Sequence, residues 1–304
     1  MTDCDPETSN RKTTRGVRRY GSKHRSAGTY AERNRACAGR EEESGDGRLI
    51  QTNKIYNQDC IQGMKDHIPD NSIDLIVTSP PYNLGIPYDS YNDSRPLKEY
   101  YDWCSEWITE CYRVLKPDGR FCLNHYLSCG TAELRFAPLS RLNTISEDIG
   151  FHHHAWPIWD DRTITKRTAW GSWLSARAPY INSPYEGVVV MYKDHWRKDA
   201  EGVSDITAKE FMEIASGVWK IQPCHQYDTV ANFPVDLPRK CIRFFSYVGD
   251  VVLDPFMGAG TTAVAAKQTG RKYTGFELSP NYWRKAMENL SQSCLILAEE
   301  VAVP

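Results

Sequence analysis

The sequence predicts an α/β fold in which a mixed, mostly parallel sheet carries helices on both faces. Apolar, strand-like runs alternate with helical segments along the chain, at 73–77, 120–124, 187–192, 250–253 and 272–276. Such alternation favours a parallel-rich sheet, whose ligands bind at the carboxyl ends of the strands. The chain has 304 residues, 40% of them hydrophobic, which is enough for one large domain with a buried core.

Helices are predicted where apolar residues recur at helical spacing or where capping residues occur. Residues 97–115 have that spacing, and Lys116-Pro117-Asp118-Gly119 ends the helix. A short helix is predicted at 207–215 and an alanine-rich one at 263–268. A further helix should begin directly after Ser279-Pro280, since serine is a good N-cap and proline a good first helical residue.

The hexapeptide Thr78-Ser79-Pro80-Pro81-Tyr82-Asn83 follows the first apolar strand and is the most informative feature of the chain. Two prolines make the turn stiff and leave its carbonyls free. A hydroxyl (Ser79), a rigid carbonyl (Pro80) and an aromatic face (Tyr82) can then accept both protons of an exocyclic amine while its ring stacks. A base flipped out of a duplex presents such a group.

A second feature is a strand, a glycine loop and a helix between residues 250 and 268. Gly258 and Gly260 let the backbone approach a ligand closely, and the helix start offers free N–H groups. Glu277 ends the next strand, where an acid can bind ribose hydroxyls. Gly258–Ala263 formally matches the dinucleotide fingerprint, which is weak evidence alone, and no GK[ST] follows to make a P-loop.

The residues before the glycines decide among these ligands. Asp254-Pro255-Phe256-Met257-Gly258-Ala259-Gly260 matches the FxGxG loop that binds S-adenosylmethionine. Together with the preceding Ser-Pro-Pro-Tyr motif, it resembles DNA amino-methyltransferases of the permuted (beta) class over roughly residues 50–295. The resemblance implies a Rossmann-like, S-adenosylmethionine-dependent methyltransferase fold. Ser-Pro-Pro-Tyr is more typical of enzymes that make N4-methylcytosine, and Asp-Pro-Pro-Tyr of those that make N6-methyladenine, which stays the alternative.

The resemblance also implies the site residues. The catalytic residues would be Ser79, Pro80, Pro81 and Tyr82. The cofactor would be bound by Asp59, Phe233, Asp254, Phe256, Gly258, Gly260, Thr261, Thr262 and Glu277. Asp59 lies in Asn57–Cys60, which resembles the element that contacts the cofactor adenine, with Gln58 in place of the usual glycine. Residues 168–173 resemble a Gly-Ser-Trp motif beside the target-base pocket.

The expected substrate is double-stranded DNA with a short, palindromic recognition site. The family's organisation gives a catalytic half at 49–193, a target-recognition region at 194–223 and a cofactor-binding half at 224–304. Cations in or beside the recognition region can contact phosphates or bases: Lys193, His195, Arg197, Lys198, Lys209 and Lys220. The loop 84–96 can close over the flipped base or wedge the duplex. A monomer is expected, and a cognate restriction endonuclease can share the site without binding the enzyme.

Residues 1–48 read as a basic, disordered arm. Residues 9–40 carry ten Lys/Arg and one acid, a local charge of +9 in a chain of −2. Such an arm can track phosphates or be merely solvated. No apolar run is long enough to span a membrane and no signal segment is visible, so a cytoplasmic protein is expected.

No metal site is expected. The ten cysteines form no C-x-x-C pair and read as reduced and mostly buried. His152–His154 is predicted as a strand, whose adjacent side chains converge poorly on one ion.

Three other functions remain as alternatives. A carbon-5 cytosine methylase would use a cysteine nucleophile such as that of Pro223-Cys224, but the family's motif order is missing. An NAD-binding oxidoreductase would use the glycine loop differently, and a non-catalytic DNA-binding regulator would not bind the cofactor.

Overall fold

The computed structural model describes residues 41–43, 49–130, 135–160, 171–181, 185–223 and 233–301. The strands are β1 Glu41–Glu43, β2 Leu49–Gln51, β3 Lys54–Tyr56, β4 Ile73–Thr78, β5 Leu115–Tyr126, β6 Cys129–Gly130, β7 Arg135–Phe136, β8 His152–Ala155, β9 Ile158–Asp160, β10 Glu186–Tyr192, β11 Val218–Lys220, β12 Val251–Asp254 and β13 Lys272–Phe276. The helices are α1 Cys60–His67, α2 Leu97–Val114, α3 Pro138–Ile149, α4 Ala208–Ala215, α5 Asp236–Phe245, α6 Thr261–Gln268 and α7 Pro280–Val301.

The main sheet has nine strands in the order β11-β9-β10-β5-β4-β12-β13-β3, with β8 also pairing with β10. The block from β5 to β3 is parallel throughout. Strand β10 runs antiparallel to β5, β8 and β9, and β11 is parallel to β9. The predicted mixed, mostly parallel sheet is therefore confirmed.

Helices cover both faces of this sheet because its central strands are apolar on both sides. Helices α1, α2 and α3 pack on one face around Trp107 and Phe121. Helices α5, α6 and α7 pack on the other face around Trp219 and Ile242. Strand β12 contributes to both cores, since Val251 and Leu253 face the first and Val252 the second.

Strands β4 and β12 are neighbours in the sheet although they lie far apart in the chain. Leu75 and Ile76 pair with Val252 and Leu253. Two buried side-chain bonds reinforce the pairing, from Val251 N to Asp74 Oδ2 (2.9 Å) and from Thr78 Oγ1 to Asp254 Oδ1 (2.7 Å). The loops that follow β4 and β12 therefore leave the sheet at the same edge.

Most predicted elements are confirmed, with α2, α4 and α6 beginning within one or two residues of the expected positions. Ser279 Oγ accepts from Tyr282 N (3.1 Å) at the start of α7, as a capping serine should. Strand β5 is longer than predicted, since it begins at Leu115 directly after α2. Strand β1 lies inside the predicted basic arm, whose residues 1–40 and 44–48 are outside the described residues.

Two of the cations predicted to reach DNA are used inside the fold. Lys193 is buried, and its Nζ donates to Asn71 Oδ1 (2.7 Å). Lys198 lies between Asp250 (3.2 Å) and Asp74 (3.6 Å) with a side chain only 10% exposed. Both side chains are thus paired inside the fold and are not free for the phosphate or base contacts that the sequence suggested.

Six cysteines in the described part of the chain are free: Cys60, Cys104, Cys111, Cys122, Cys129 and Cys241. All but Cys129 are buried, as predicted. His152–His154 forms β8 as expected. Among the described residues, no helix is long and apolar enough to cross a membrane.

Candidate active site

The candidate site lies at the carboxyl edge of β4, β12 and β13. Strand β4 delivers Ser79–Tyr82 to this edge, β12 delivers the glycine loop, and β13 delivers Glu277. A cavity of about 210 Å³ opens between them, and Ser79, Gly258 and Glu277 all line it. The structure therefore brings the predicted catalytic serine and the predicted cofactor loop into one cavity.

Ser79 and Tyr82 belong to a closed hydrogen-bond network. Ser79 Oγ lies 2.7 Å from the Tyr82 hydroxyl, and that hydroxyl donates to Glu186 Oε2 (2.8 Å). Asn124 Nδ2 donates both to the Tyr82 hydroxyl (2.9 Å) and to Glu186 Oε2 (2.6 Å). The antiparallel pairing of β10 with β5, which sets Glu186 opposite Tyr126, positions these side chains.

The Tyr82 ring is almost fully buried in this structure, with 8% exposure. Its centroid lies 4.1 Å from that of His125 and 5.0 Å from that of Tyr126. Burial raises the pKa of the Tyr82 hydroxyl well above its ordinary value, so the hydroxyl keeps its proton. Burial also lowers the pKa of His125 to about 3, so the imidazole beside the ring is neutral.

The two prolines differ in their surroundings. The Pro81 carbonyl accepts from the Tyr100 hydroxyl (2.8 Å), so the expectation that both proline carbonyls are free is wrong for Pro81. Pro80 is buried, whereas Pro81 lines the cavity.

Positive backbone angles shape the glycine loop. Gly258 has φ +53° and Gly260 has φ +85°, a region that glycine adopts at low cost. A Cβ on Gly260 would also lie 3.0 Å from Ala286 Cβ. Glycine is thus needed for the turn and for its packing against α7.

The buried carboxylate of Asp254 stabilises the glycine loop through hydrogen bonds. It accepts from Thr78 Oγ1 (2.7 Å), Thr262 Oγ1 (2.6 Å) and Phe256 N (3.0 Å). Burial raises the pKa of Asp254 to about 6 despite these hydrogen bonds. Asp254 and Thr262 are buried below the cavity and do not line it.

Glu277 faces the cavity and ties β13 to the glycine loop. Its carboxylate accepts from Gly258 N and Ser279 N, each at 2.8 Å. Burial, with smaller contributions from the nearby Asp254 and Asp89, raises the pKa of Glu277 to about 7 against the lowering effect of the two N–H donors. The acid therefore titrates near neutral pH.

The 84–96 loop forms another wall of the cavity. Asp93 shapes it by accepting from the backbone N–H groups of Asn83 (2.8 Å), Leu84 (3.0 Å) and Ile86 (3.0 Å). Asp89 fastens it to α7, accepting from Ser279 Oγ (2.7 Å) and Asn281 Nδ2 (2.8 Å). The loop thus lies beside Glu277, and its closure over a flipped base or its insertion into a duplex stays a prediction.

The remaining predicted site residues divide into two groups. Asp59 and Phe256 line the cavity, although Asp59 also N-caps α1 by accepting from Ile61 N (3.0 Å). Phe233 packs against the core of the second face and is not in the cavity lining. Gly260 and Thr261 lie at the start of α6, also outside that lining.

The Gly-Ser-Trp segment is only partly visible. Residues 168–170 lie outside the described residues, as does Cys224. Gly171 forms a bridge with Pro179, and Trp173 is 69% exposed.

Sequence reasoning missed several residues of the site. Glu186 and Asn124 contact Tyr82, and Asp89, Trp103 and Tyr282 line the cavity. The available signal was weak: Glu186 immediately precedes a predicted strand, and Asn124 is a polar residue at the end of another. In the described part of the chain, no group of three or more His, Cys, Asp or Glu could hold a metal ion.

Known proteins with similar sequences are DNA methyltransferases. The DNA methylase family model N6_N4_Mtase matches residues 73–288. The type II methyltransferase M.MjaVI of Methanocaldococcus jannaschii is 45% identical over 154 residues, which cover 50% of this chain and 78% of that protein. The DNA adenine methyltransferase YhdJ of Escherichia coli K12 is 29% identical over 276 residues, covering 82% of this chain and 86% of YhdJ.

Solved structures show the same fold. TTHA0409 of Thermus thermophilus, in complex with S-adenosyl-L-methionine, superposes with a TM-score of 0.64 at 26% identity, over 79% of this chain and 93% of that one. The cytosine-N4-specific PvuII DNA methyltransferase gives 0.61 at 20% identity, over 82% and 92%. The family match covers well over half of the chain. The chain therefore belongs to the N6_N4_Mtase family of DNA methylases, and it is a site-specific DNA methyltransferase that uses S-adenosylmethionine.

Proposed function

We propose that the enzyme methylates the exocyclic N4 amine of a cytosine flipped out of a short, palindromic site in double-stranded DNA. The observation that carries the proposal is the position of Ser79, which heads a Ser-Pro-Pro-Tyr turn and lines the cavity next to Gly258. A neutral hydroxyl at this position is typical of the cytosine-N4 enzymes that the motif resembles.

The cavity fits S-adenosylmethionine in its chemistry. Glu277 offers carboxylate oxygens for ribose hydroxyls at the end of β13, the position such acids take in nucleoside-binding α/β folds. Phe256 and Tyr91 offer apolar faces for an adenine, and Asp59 lies beside them in the lining. Asp254 and Thr262 would act indirectly, by holding the glycine loop in shape. When bound, the cofactor supplies an electrophilic sulfonium methyl.

The residues of the catalytic turn would prepare the amine for attack. The lone pair of an aromatic amine is delocalised into its ring, which makes it a poor nucleophile. Ser79 Oγ and the Pro80 carbonyl would accept its two protons, drawing the nitrogen towards sp³ geometry. Because the amine nitrogen loses its extra proton only after methyl transfer, no strong base is needed, and catalysis depends on positioning and electrostatics. Tyr82 would stack on the base once its ring gains more than the 8% exposure seen here.

DNA binding would involve the recognition region and the basic arm. Arg197 between β10 and α4, Lys209 in α4 and Lys220 in β11 are exposed, so they remain candidates for phosphate or base contacts. Residues 9–40, with their local excess of positive charge, would add salt-dependent affinity for any sequence. A cognate restriction endonuclease sharing the site is part of the same proposal.

Adenine N6 is the second candidate base. YhdJ, which resembles this chain over most of both proteins, is named a DNA adenine methyltransferase. The acceptors Ser79 Oγ and Pro80 carbonyl would engage the adenine amine in the same way, so the fold and mechanism would not change.

The test is transfer of labelled methyl from S-adenosylmethionine to duplex DNA of varied sequence, followed by nucleoside digestion and mass spectrometry. We expect N4-methylcytosine from the wild-type enzyme and a much lower yield from Ser79→Ala, the matched control. N6-methyladenine would overturn the choice of base alone. No methylated nucleoside from any duplex would overturn the proposed activity on double-stranded DNA.

A further inference from the structure

The catalytic serine is the first member of a hydrogen-bond chain that runs away from the cavity. The chain passes from Ser79 Oγ to the Tyr82 hydroxyl (2.7 Å) and from there to Glu186 Oε2 (2.8 Å). Asn124 Nδ2 braces the far end, since it contacts both the Tyr82 hydroxyl and Glu186 Oε2. Glu186 and Asn124 come from adjacent strands, β10 and β5, so the sheet itself fixes this end.

Counting protons fixes the direction of every bond in the chain. Glu186 Oε2 accepts from the Tyr82 hydroxyl and from Asn124 Nδ2, and an amide nitrogen can only donate. The contact of 2.6 Å between Asn124 Nδ2 and Glu186 Oε2 therefore sets the amide orientation, since the amide oxygen there would face another acceptor. Tyr82 has a single hydroxyl proton, and Glu186 takes it.

The Ser79–Tyr82 contact must then be made with the proton of Ser79. The Tyr82 hydroxyl has no second proton to give, so it accepts from Ser79 as well as from Asn124. This leaves only lone pairs of Ser79 Oγ for the cavity that Ser79 lines. A hydroxyl held in this way can accept a hydrogen bond from an amine and cannot offer it a proton.

We propose that Glu186, acting through Tyr82, is a positioning residue that holds the Ser79 hydroxyl as an obligate acceptor for the target amine. This inference rests on the proposed function, because it assigns a role in binding that amine. Without an acceptor at position 186, the Tyr82 proton would turn to Ser79 Oγ. Ser79 would then direct its own proton into the cavity, where it would oppose the protons of the incoming amine.

Single-turnover kinetics on duplex DNA test the role. We expect Glu186→Met, which removes the acceptor, to lower the methyl-transfer rate about tenfold, the effect of one misdirected hydrogen bond. Glu186→Gln should stay within about threefold of wild type, because Oε1 can replace Oε2 as the acceptor. The Kd for S-adenosylmethionine should change less than about twofold in both variants, since Glu186 is not among the residues that line the cavity.

The background variant Tyr82→Phe separates this role from a merely structural one. Phenylalanine keeps the ring and cuts the link between Ser79 and Glu186, so adding Glu186→Met should lower the rate less than about twofold further. An equal loss in both backgrounds would mean that Glu186 acts by another route, and a wild-type rate for Glu186→Met would exclude the role.

A neutron structure of the deuterated wild-type enzyme tests the same inference without any activity. We expect the Ser79 deuteron on the line to Tyr82 and the Tyr82 deuteron on the line to Glu186. A Tyr82 deuteron directed at Ser79 would overturn the inference even if the enzyme methylates cytosine. The expected deuterons together with an enzyme that methylates no DNA amine would instead confirm the orientation of Ser79 and overturn the proposed function.

Discussion

The two loops at the active edge of the sheet differ in how much space they leave for a ligand. Around the glycine loop, the N–H groups of Gly258 and Ser279 donate to the Glu277 carboxylate, which lines the open cavity. Around the catalytic turn, Ser79 and Tyr82 are bonded to each other and to Glu186. The comparison indicates that a ligand can enter beside Glu277 in the structure as it stands, whereas a base can stack on Tyr82 only after that ring, now 8% exposed, gains exposure.

The largest effect is expected for Asp254→Ala, which removes the carboxylate that holds the glycine loop beside the open cavity. The change leaves two buried hydroxyls, of Thr78 and Thr262, and the Phe256 N–H without their acceptor. We expect the free energy of unfolding to fall by about 3 kcal/mol, measured by urea denaturation. Thr262→Val, which removes one of these bonds, should cost about 1 kcal/mol. Equal losses in the two variants would show that Asp254 does not organise the loop.

Ser79→Ala tests the catalytic turn, because it removes the hydroxyl that is proposed to accept a proton of the target amine. We expect the methyl-transfer rate to fall about 100-fold, the typical loss of one preorganised hydrogen-bonding group. The Kd for the cofactor, measured by calorimetry, should stay within about twofold, because Glu277 and the glycine loop are unchanged. Ser90→Ala removes another hydroxyl from the cavity lining and serves as the matched control. A similar rate loss in Ser90→Ala would contradict the assignment.

The pH dependence of cofactor binding tests whether the Glu277 carboxylate in the open cavity binds the cofactor. Ribose hydroxyls bind best to an ionised acceptor, and burial raises the pKa of Glu277 to about 7. Affinity should therefore be full above this pH and weaken as the pH falls through it and Glu277 takes up a proton. Glu277→Gln should bind about tenfold more weakly at pH 8 and lose most of this dependence. Glu288→Gln, an exposed change on α7, is the control, and a pH-independent wild-type Kd would contradict the role.

The smallest effect on the cofactor is expected from the hydrogen bonds by which Asp89 joins the 84–96 loop to Ser279 and Asn281. Asp89 is exposed, and its hydrogen bonds from Ser279 and Asn281 lower the pKa of its carboxyl. Asp89→Ala should speed cofactor dissociation about threefold, as suits exposed interactions, which stopped-flow measurements can follow. Asp102→Ala, an exposed acid on α2, provides the comparison. No change in the dissociation rate would show that the fastening does not retain the cofactor.

The fold was predictable because its central strands are apolar runs with clear ends. The run at 73–77 became β4, and the caps around Ser279 marked the start of α7. The antiparallel pairing of β10 with β5 could not be predicted from the sequence, since a fully buried strand has the same apolar pattern in either direction. Leu115 was assigned to a helix because its spacing fits one, yet the chain turns there into β5.

The site was predictable to the extent that it depends on short motifs. Ser79, Gly258 and Glu277 follow strands and meet in the cavity as expected. Glu186 was missed because its role comes from strand pairing across the sheet, not from neighbouring residues in the chain. Lys193 and Lys198 were among the candidates for DNA contacts because sequence cannot distinguish a solvated cation from one paired inside the fold.

The placement of β12 between β4 and β13 also has a consequence for synthesis of the chain. The hydrogen bond from Thr78 to Asp254 can form only after Asp254, 176 residues later in the chain, has been synthesised. At ribosomal rates, roughly 10 to 35 s separate the emergence of the two strands. During that interval the apolar strand β4 has one edge of backbone N–H and C=O groups without a partner strand, which favours aggregation. A nascent chain stalled before residue 250 should therefore depend on chaperones, and release from this dependence should coincide with the emergence of the glycine loop.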